Sequence, residues 1–271
     1  MTLVTIWLLA WAALAVVMAG AWALQRALRN AGWVDAVWTF GLGAVGIGVA
    51  LAAGPSGGAV ALLVGLWALR LGAHIAARSR GAAEDSRYAA LRRDWGDRYE
   101  PKMFGFLQIQ AAAAALLQVP IGLAAAAPWP PGAIGFLGLA VVLAGLAVEG
   151  VADAQLRGFR RRAGHGQVCD AGLWGISRHP NYVGEWLFWV GLALFALAAP
   201  FGWVALVGPA FMYWLLVHVS GIPPLEVQMM ASRGEAYAAY QARVPAFLPL
   251  PFARRLPHPN PALSGQAGET R

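Results

Sequence analysis

Apolar runs closed by turn residues or charge recur seven times along the chain, over residues 3–25, 34–53, 58–77, 106–127, 133–155, 182–199 and 201–221. A helix needs about twenty such residues to cross the hydrocarbon core of a bilayer, and these runs are too apolar for the surface helices of a soluble protein. The pattern predicts an all-α polytopic membrane bundle of about seven transmembrane helices, forming one domain over residues 1–256. No internal repeat and no second soluble domain interrupts it. The Pro-rich stretch from Pro257 to Arg271 reads as a disordered tail.

Polar residues between the runs orient the bundle. Of the 20 Lys and Arg residues, all but Arg70 fall beside alternate connections: Arg26 and Arg29, Arg78 to Lys102, Arg157 to Arg178, and Arg233 to the C-terminus. The opposite connections, 54–58, 128–132 and 199–202, carry no charge. By the positive-inside rule the N-terminus lies outside and the C-terminus in the cytoplasm. The first run has no basic residue before Arg26, so it reads as a retained span and not as a signal peptide.

Composition agrees, with 59% hydrophobic and 12% charged residues over 271 positions. The net charge of +7 is the topological bias, so it points to the lipid bilayer and to anionic ligands, and not to nucleic acid. The single cysteine, Cys169, excludes an internal disulfide, and His74, His165, His179, His218 and His258 show no metal-ligand spacing. No metal is expected. Gly41, Gly43, Gly46 and Gly48 suit close helix packing.

The chemistry gathers at the cation-rich end. Arg70, His74 and Arg78 recur every four residues and share one helical face. Arg70 sits about two turns inside the membrane boundary, where a guanidinium needs an anion. It either pairs with a carboxylate such as Asp35 on the neighbouring span or belongs to a site. Glu149, Asp153 and Arg157 also recur every four residues, followed by Arg160, Arg161 and Arg162. Favourable i,i+4 pairing accounts for Arg157, whereas carboxylates this deep can accept hydrogen bonds from ribose or amide groups while arginines hold phosphates.

Five functional side chains fall in the eight residues from Arg178 to Glu185: Arg178, His179, Asn181, Tyr182 and Glu185. Pro180 suits the first turn of a helix, so the sixth span starts here and opens its free amide groups to one side. Asn181 and Glu185 lie on one face, one turn apart. The C-terminal piece predicts two short helices broken near Gly234, with Leu225, Met229, Tyr237 and Tyr240 toward the bundle, either as a roof over the cavity or as an interfacial amphipathic pair.

The patterns Glu149-x-x-x-Asp153-x-Gln-Leu, Gly172-Leu-Trp-x-x-Ser-Arg-His-Pro-Asn-Tyr-x-Gly-Glu185, Ser220-Gly-x-Pro-x-Leu-Glu226 and Gly234-Glu-x-Tyr-x-x-Tyr240 resemble the bacterial branch of the steroid 5-alpha-reductase-like membrane proteins. Arg70-Leu-x-x-His74 and Glu84-Asp-x-Arg-Tyr88 extend the resemblance over about residues 33–250. It implies a bacterial inner-membrane oxidoreductase that binds NADPH in a cytoplasmic cavity and reduces a conjugated carbon–carbon double bond of a hydrophobic, steroid- or isoprenoid-type enone. Carried over by position, Arg80, Asp153, Arg160 and Asn181 contact the cofactor. Arg178, His179, Tyr182 and Glu185 shape its cavity, and Glu226 stands where further C-terminal contacts fall. For catalysis the corresponding membrane region offers Asp35, Arg70 and His74.

Arg178-His-Pro-Asn-Tyr-Val-Gly184 is also similar to the signature of membrane methyltransferases of the isoprenylcysteine carboxyl methyltransferase type, where S-adenosylmethionine fills the equivalent cavity. Those enzymes carry two adjacent glutamates near the C-terminal helix, and here Val227 follows Glu226. The surrounding arginines suit a phosphate-bearing dinucleotide better. A non-catalytic transporter or lipid-binding bundle is the third reading, opposed by the absence of repeats and by polar residues that collect at one end instead of at the midplane.

Overall fold

The computed structural model describes residues 2–164 and 166–248. The tail expected from Pro257, together with His165 and His258, lies outside the described residues. Ten α-helices follow in order: α1 Leu3–Leu28, α2 Val34–Ala53, α3 Gly57–Ser79, α4 Ser86–Trp95, α5 Tyr99–Ala126, α6 Ala133–Arg160, α7 Pro180–Ala196, α8 Val207–Trp214, α9 Ile222–Arg233 and α10 Glu235–Arg243. No strand occurs among the described residues. The protein is a multi-pass helical membrane protein.

Among the described residues six helical stretches are long and apolar enough to span a membrane: Leu3–Leu28, Ala31–Ala53, Gly57–Ser79, Ser86–Ala126, Ala133–Arg160 and Gly202–Arg233. The sixth expected span, α7, has 17 residues and falls just short of that length. It starts at Pro180, as its sequence requires, and ends at Ala196. Most of its length is buried, so packing shields it from lipid. The last span is composite. A 3-10 segment, Gly202–Leu206, runs into α8 and then into a π-helical turn, Leu215–Val219.

Helix α5 packs against α1, α2, α3 and α7 and forms the centre of the bundle, with Leu107, Ala111, Ala114, Leu117 and Ile121 inaccessible to solvent. Its interior Pro120 faces Gly208, where an added Cβ would lie 2.7 Å from the proline ring. At the charge-free end Ser56 ties two turns together: its Oγ donates to the Ala127 carbonyl (2.8 Å) and its N–H to Ala125 (3.0 Å).

Helix α6 packs mainly on α7, through glycine. A Cβ on Gly145 would lie 2.7 Å from the Gly184 carbonyl oxygen, and one on Gly138 would lie 2.7 Å from that of Gly191. Both pairs repeat at seven residues, so the two antiparallel helices meet backbone to backbone along two turns each. Of the glycines singled out in α2, Gly43 meets Ala68 and Gly46 meets Val64 and Ile121, whereas Gly48 faces open space. The sequence carries no signal that separates the two kinds, because the distinction depends on which helix lies alongside.

The connection before α4 is anchored by Glu84. Its carboxylate accepts from Arg92 (2.9 and 3.2 Å) and from the Ala31 N–H (3.0 Å). The Arg92 hydrogen bond, opposed by partial burial and helped by the Ala31 amide, holds the Glu84 carboxyl below its usual value of 4.5. A depressed folded value means that the unfolded chain binds this proton more readily. The stabilisation is therefore complete above pH 4.5 and is lost as pH falls below it. Glu84→Gln is expected to flatten the acid side of a Tm-versus-pH curve below that point, and an unchanged acid limb would contradict the anchor.

Candidate functional site

Helix α3 turns Trp67, Arg70 and His74 toward α6 and α7. Arg70 bridges two carboxylates one helical turn apart on α6: one guanidinium nitrogen meets Glu149 and another meets Asp153. Both acids are buried, at 3% and 4% exposure, which makes the bridge the principal charge compensation inside the bundle. Glu149 keeps one carboxylate oxygen, Oε2, buried and without a hydrogen-bond partner. His74 Nδ1 lies 3.5 Å from Asp153 Oδ2 and 3.5 Å from an Arg157 nitrogen.

This arrangement corrects two sequence expectations. Arg70 does not pair with Asp35, whose carboxylate instead meets Arg87 and accepts from the Tyr88 hydroxyl at 2.7 Å, both residues being on α4. The i,i+4 pair of Asp153 with Arg157 does not form either. Asp153 faces inward to α3, and Arg157 is exposed and touches only His74. For Asp153 the partner from α3 is the less exposed of the two, Arg70 being 23% exposed whereas Arg157 lies at the surface.

Glu185, 6% exposed, is held by two indoles: Trp67 Nε1 donates to one oxygen (2.7 Å) and Trp189 Nε1 to the other (2.8 Å). Phe188 stacks on Trp67 with ring centroids 5.5 Å apart. Trp67 was not among the expected site residues. Its signal was its place one turn before Arg70 on the same face, but a tryptophan in an apolar run reads as core until a buried carboxylate is seen opposite it. The Asn181-to-Glu185 spacing thus separates two environments, with Glu185 deep and Asn181 at the surface end.

At the mouth above Asp153 the cations outnumber their partners. The side chains of Arg78 and Arg80, at the end of α3, are exposed and make no hydrogen bond or ion pair among the described residues, and the same holds for Arg160. Arg160 lies within electrostatic reach of Arg78, Arg233 and Asp153. Arg78 also lies within electrostatic reach of His74 and of Tyr182. Tyr182 is half-buried, stacks on His179 (5.5 Å) and lies within electrostatic reach of Arg87, Asp35 and Asp85. Asn181, half-buried, has an amide without a partner. Nothing brings Arg80 to the cluster beyond its position two residues past Arg78.

Arg178, His179 and Glu226 form a separate assembly. Arg178 Nε donates to Glu226 (2.7 Å), and its Nη1 donates to the carbonyls of Val244 (2.6 Å) and Gln241 (3.1 Å). His179 Nε2 lies 3.1 Å from the same Glu226 oxygen, and Gln241 donates to the other at 2.9 Å. Burial depresses the His179 imidazole, against the pull of Glu226, so the ring is held neutral. These three expected ligand-binding side chains bind one another and fasten α9 and α10 over the mouth. Gly234, at φ 51°, makes the break between those helices, and buried Tyr240 donates to the Trp174 carbonyl at 2.6 Å.

The structure therefore gathers Arg70, His74, Asp153 and Glu185, with Glu149 and Trp67 added, around one buried polar core. Arg78, Arg160 and Asn181 lie at its mouth, and Tyr182 links that mouth to Asp35. A family model described as "Protein of unknown function (DUF1295)" matches residues 21–244. The chain belongs to this family. Neither a curated protein nor a solved structure matches it. The DUF1295 segment takes in the Arg70 bridge, the arginine-lined mouth and the clamp over it, and it ends at Val244, whose carbonyl completes the Arg178 contacts.

Proposed function

We propose that this membrane protein is an NADPH-dependent reductase of a conjugated carbon–carbon double bond in a hydrophobic enone, with its site at the cation-rich end of the bundle. The observation that carries the reading is the set of arginines without a carboxylate partner, Arg78, Arg157 and Arg160, at the end of the bundle where Asp153 lies, together with the unpartnered Asn181 amide one turn before Glu185. Guanidinium groups without carboxylates suit the phosphates of a dinucleotide, while a carboxylate and an amide suit its hydroxyl and carboxamide groups. The positive-inside rule puts this mouth in the cytoplasm, where such a cofactor is available.

Reduction of an enone needs a hydride for the β-carbon, a donor for the oxygen that gains charge, and a proton for the α-carbon. The bound dinucleotide supplies the hydride. Arg70 is committed to Glu149 and Asp153, so its role is to position them. His74 faces Asp153 and is 30% exposed, which places it to pass a proton between the site and water. The Tyr182 hydroxyl, without a hydrogen-bond partner and within electrostatic reach of Asp35, is the donor for the carbonyl oxygen. An apolar substrate enters from the bilayer between helices.

The test is a thermal-shift titration of the detergent-purified protein with NADPH, NADH and S-adenosylmethionine. A ligand that binds only the folded state raises Tm with its concentration. NADPH is expected to stabilise the protein saturably, and Asn181→Ala and Arg160→Gln are each expected to weaken that response by roughly tenfold, the loss of one good polar contact. Stabilisation by S-adenosylmethionine alone would replace reduction with methyl transfer.

A further inference from the structure

A polar cavity, of about 540 Å³, opens at the end of α1 and is lined by Gln25, Arg26, Arg29, Glu84, Arg92 and Glu100. It lies among α1, α4 and α5, apart from the Arg70 core. Gln25 is 1% exposed, an unusual position for an amide. Its Nε2 donates to Glu100 Oε2 at 3.1 Å, whereas its Oε1 is buried with no partner. Turning the amide over would set its oxygen against a carboxylate, so the orientation is fixed and the orphan atom is an acceptor. Such an atom calls for a donor from a ligand.

The cavity also has unused groups of the opposite kind. Arg92 is spent on Glu84, and Arg26 lies 3.5 Å from Glu100 Oε2 and 4.6 Å over the Trp22 ring. The Arg29 side chain makes no ion pair or hydrogen bond among the described residues, and its backbone sits in the left-handed conformation (φ 51°) that closes α1. The second oxygen of Glu100 is likewise without a partner. The wall therefore offers guanidinium donors on one side and two acceptors on the other. Trp22, whose Nε1 donates to the Glu100 carbonyl at 3.0 Å, marks the level of the membrane interface, and Leu24 and Leu28 are exposed on the adjoining turn.

We infer that this cavity binds the headgroup of an aminophospholipid, a phosphodiester bearing a primary ammonium, at the bilayer surface. Its phosphate meets Arg29 and Arg26, its ammonium donates to Gln25 Oε1 and Glu100, and its acyl chains lie along Leu24 and Leu28. The inference does not depend on the proposed reductase activity.

Native mass spectrometry of the delipidated full chain tests it, with phosphatidylethanolamine, phosphatidylcholine and phosphatidylglycerol offered at equal concentration. Phosphatidylcholine has the same phosphate but no N–H donor, so the ethanolamine lipid is expected to be retained roughly fivefold better. Arg29→Gly, which suits the positive φ, is expected to lower that retention by a similar factor without changing the Tm of the lipid-free protein. Gln25→Met, which removes the acceptor at similar volume, should do the same. Equal retention of the ethanolamine and choline lipids, preference for the glycerol lipid, or unchanged retention in Arg29→Gly would each overturn the site. Displacement of the lipid by an equal concentration of soluble phosphoethanolamine would assign the cavity to a free metabolite instead.

Discussion

Arg70→Leu is expected to destabilise the bundle by about 3–5 kcal/mol, the cost of leaving buried charges without their partner. The substitution removes the bridge to Glu149 and Asp153 together, and neither acid has a second cation within the bundle at comparable burial. Thermal unfolding in detergent, followed by circular dichroism, should show a large fall in Tm. Arg70→Lys should recover only part of it, since one ammonium cannot serve two carboxylates in the fixed fork that a guanidinium provides. The triple variant Arg70→Leu, Glu149→Leu, Asp153→Leu should approach the wild-type Tm, because replacing a whole buried charge cluster costs far less than breaking it. A single Arg70→Leu protein as stable as the wild type would mean that the bridge contributes nothing to the fold.

The second large effect belongs to the glycine seam. In Gly184→Ala the new Cβ would fall 2.6 Å from the Glu149 backbone nitrogen, and neither backbone can yield without moving a whole helix. Overpacking of this kind costs about 1–3 kcal/mol, and here it also separates Glu149 from Arg70. Since α6 packs mainly on α7, the displaced helix has little else to hold it. The expected result is a lower Tm together with loss of the NADPH response, whereas Gly48→Ala, which faces open space, should change neither. If the two alanine variants behave alike, the seam is not where the helices are held.

Both effects rest on details that the sequence carries only in part. Arg70 was conspicuous as the one cation within an apolar run, and the depth of Glu149 and Asp153 marked them as more than a helix-end pair. Which of them meet depends on how α3 and α6 lie together, and that packing favours the deeper acids over Asp35. Trp67 gave no such mark, because an indole in a membrane helix is ordinary until its N–H is found pointing at a carboxylate. Arg178, His179 and Glu226 read as a ligand shell, and in the structure they also bind one another, since α9 and α10 return and bring Glu226 and the Val244 carbonyl within reach.

The sequence by itself determined the class of the protein, the long apolar helices though not α4, the start of α7 at Pro180, the break at Gly234, and the collection of charge at one end. These follow from local chemistry: apolar length, proline and glycine geometry, and the cost of charge in hydrocarbon. Only the tertiary structure decided that Arg70 bridges Glu149 and Asp153, that Glu185 hangs from two indoles, that α6 rides on α7 through Gly138 and Gly145, and that Gln25 leaves an acceptor in the cavity at the end of α1. Each of these joins residues far apart in the chain, where spacing along a helix carries no information and helix packing alone sets the distance.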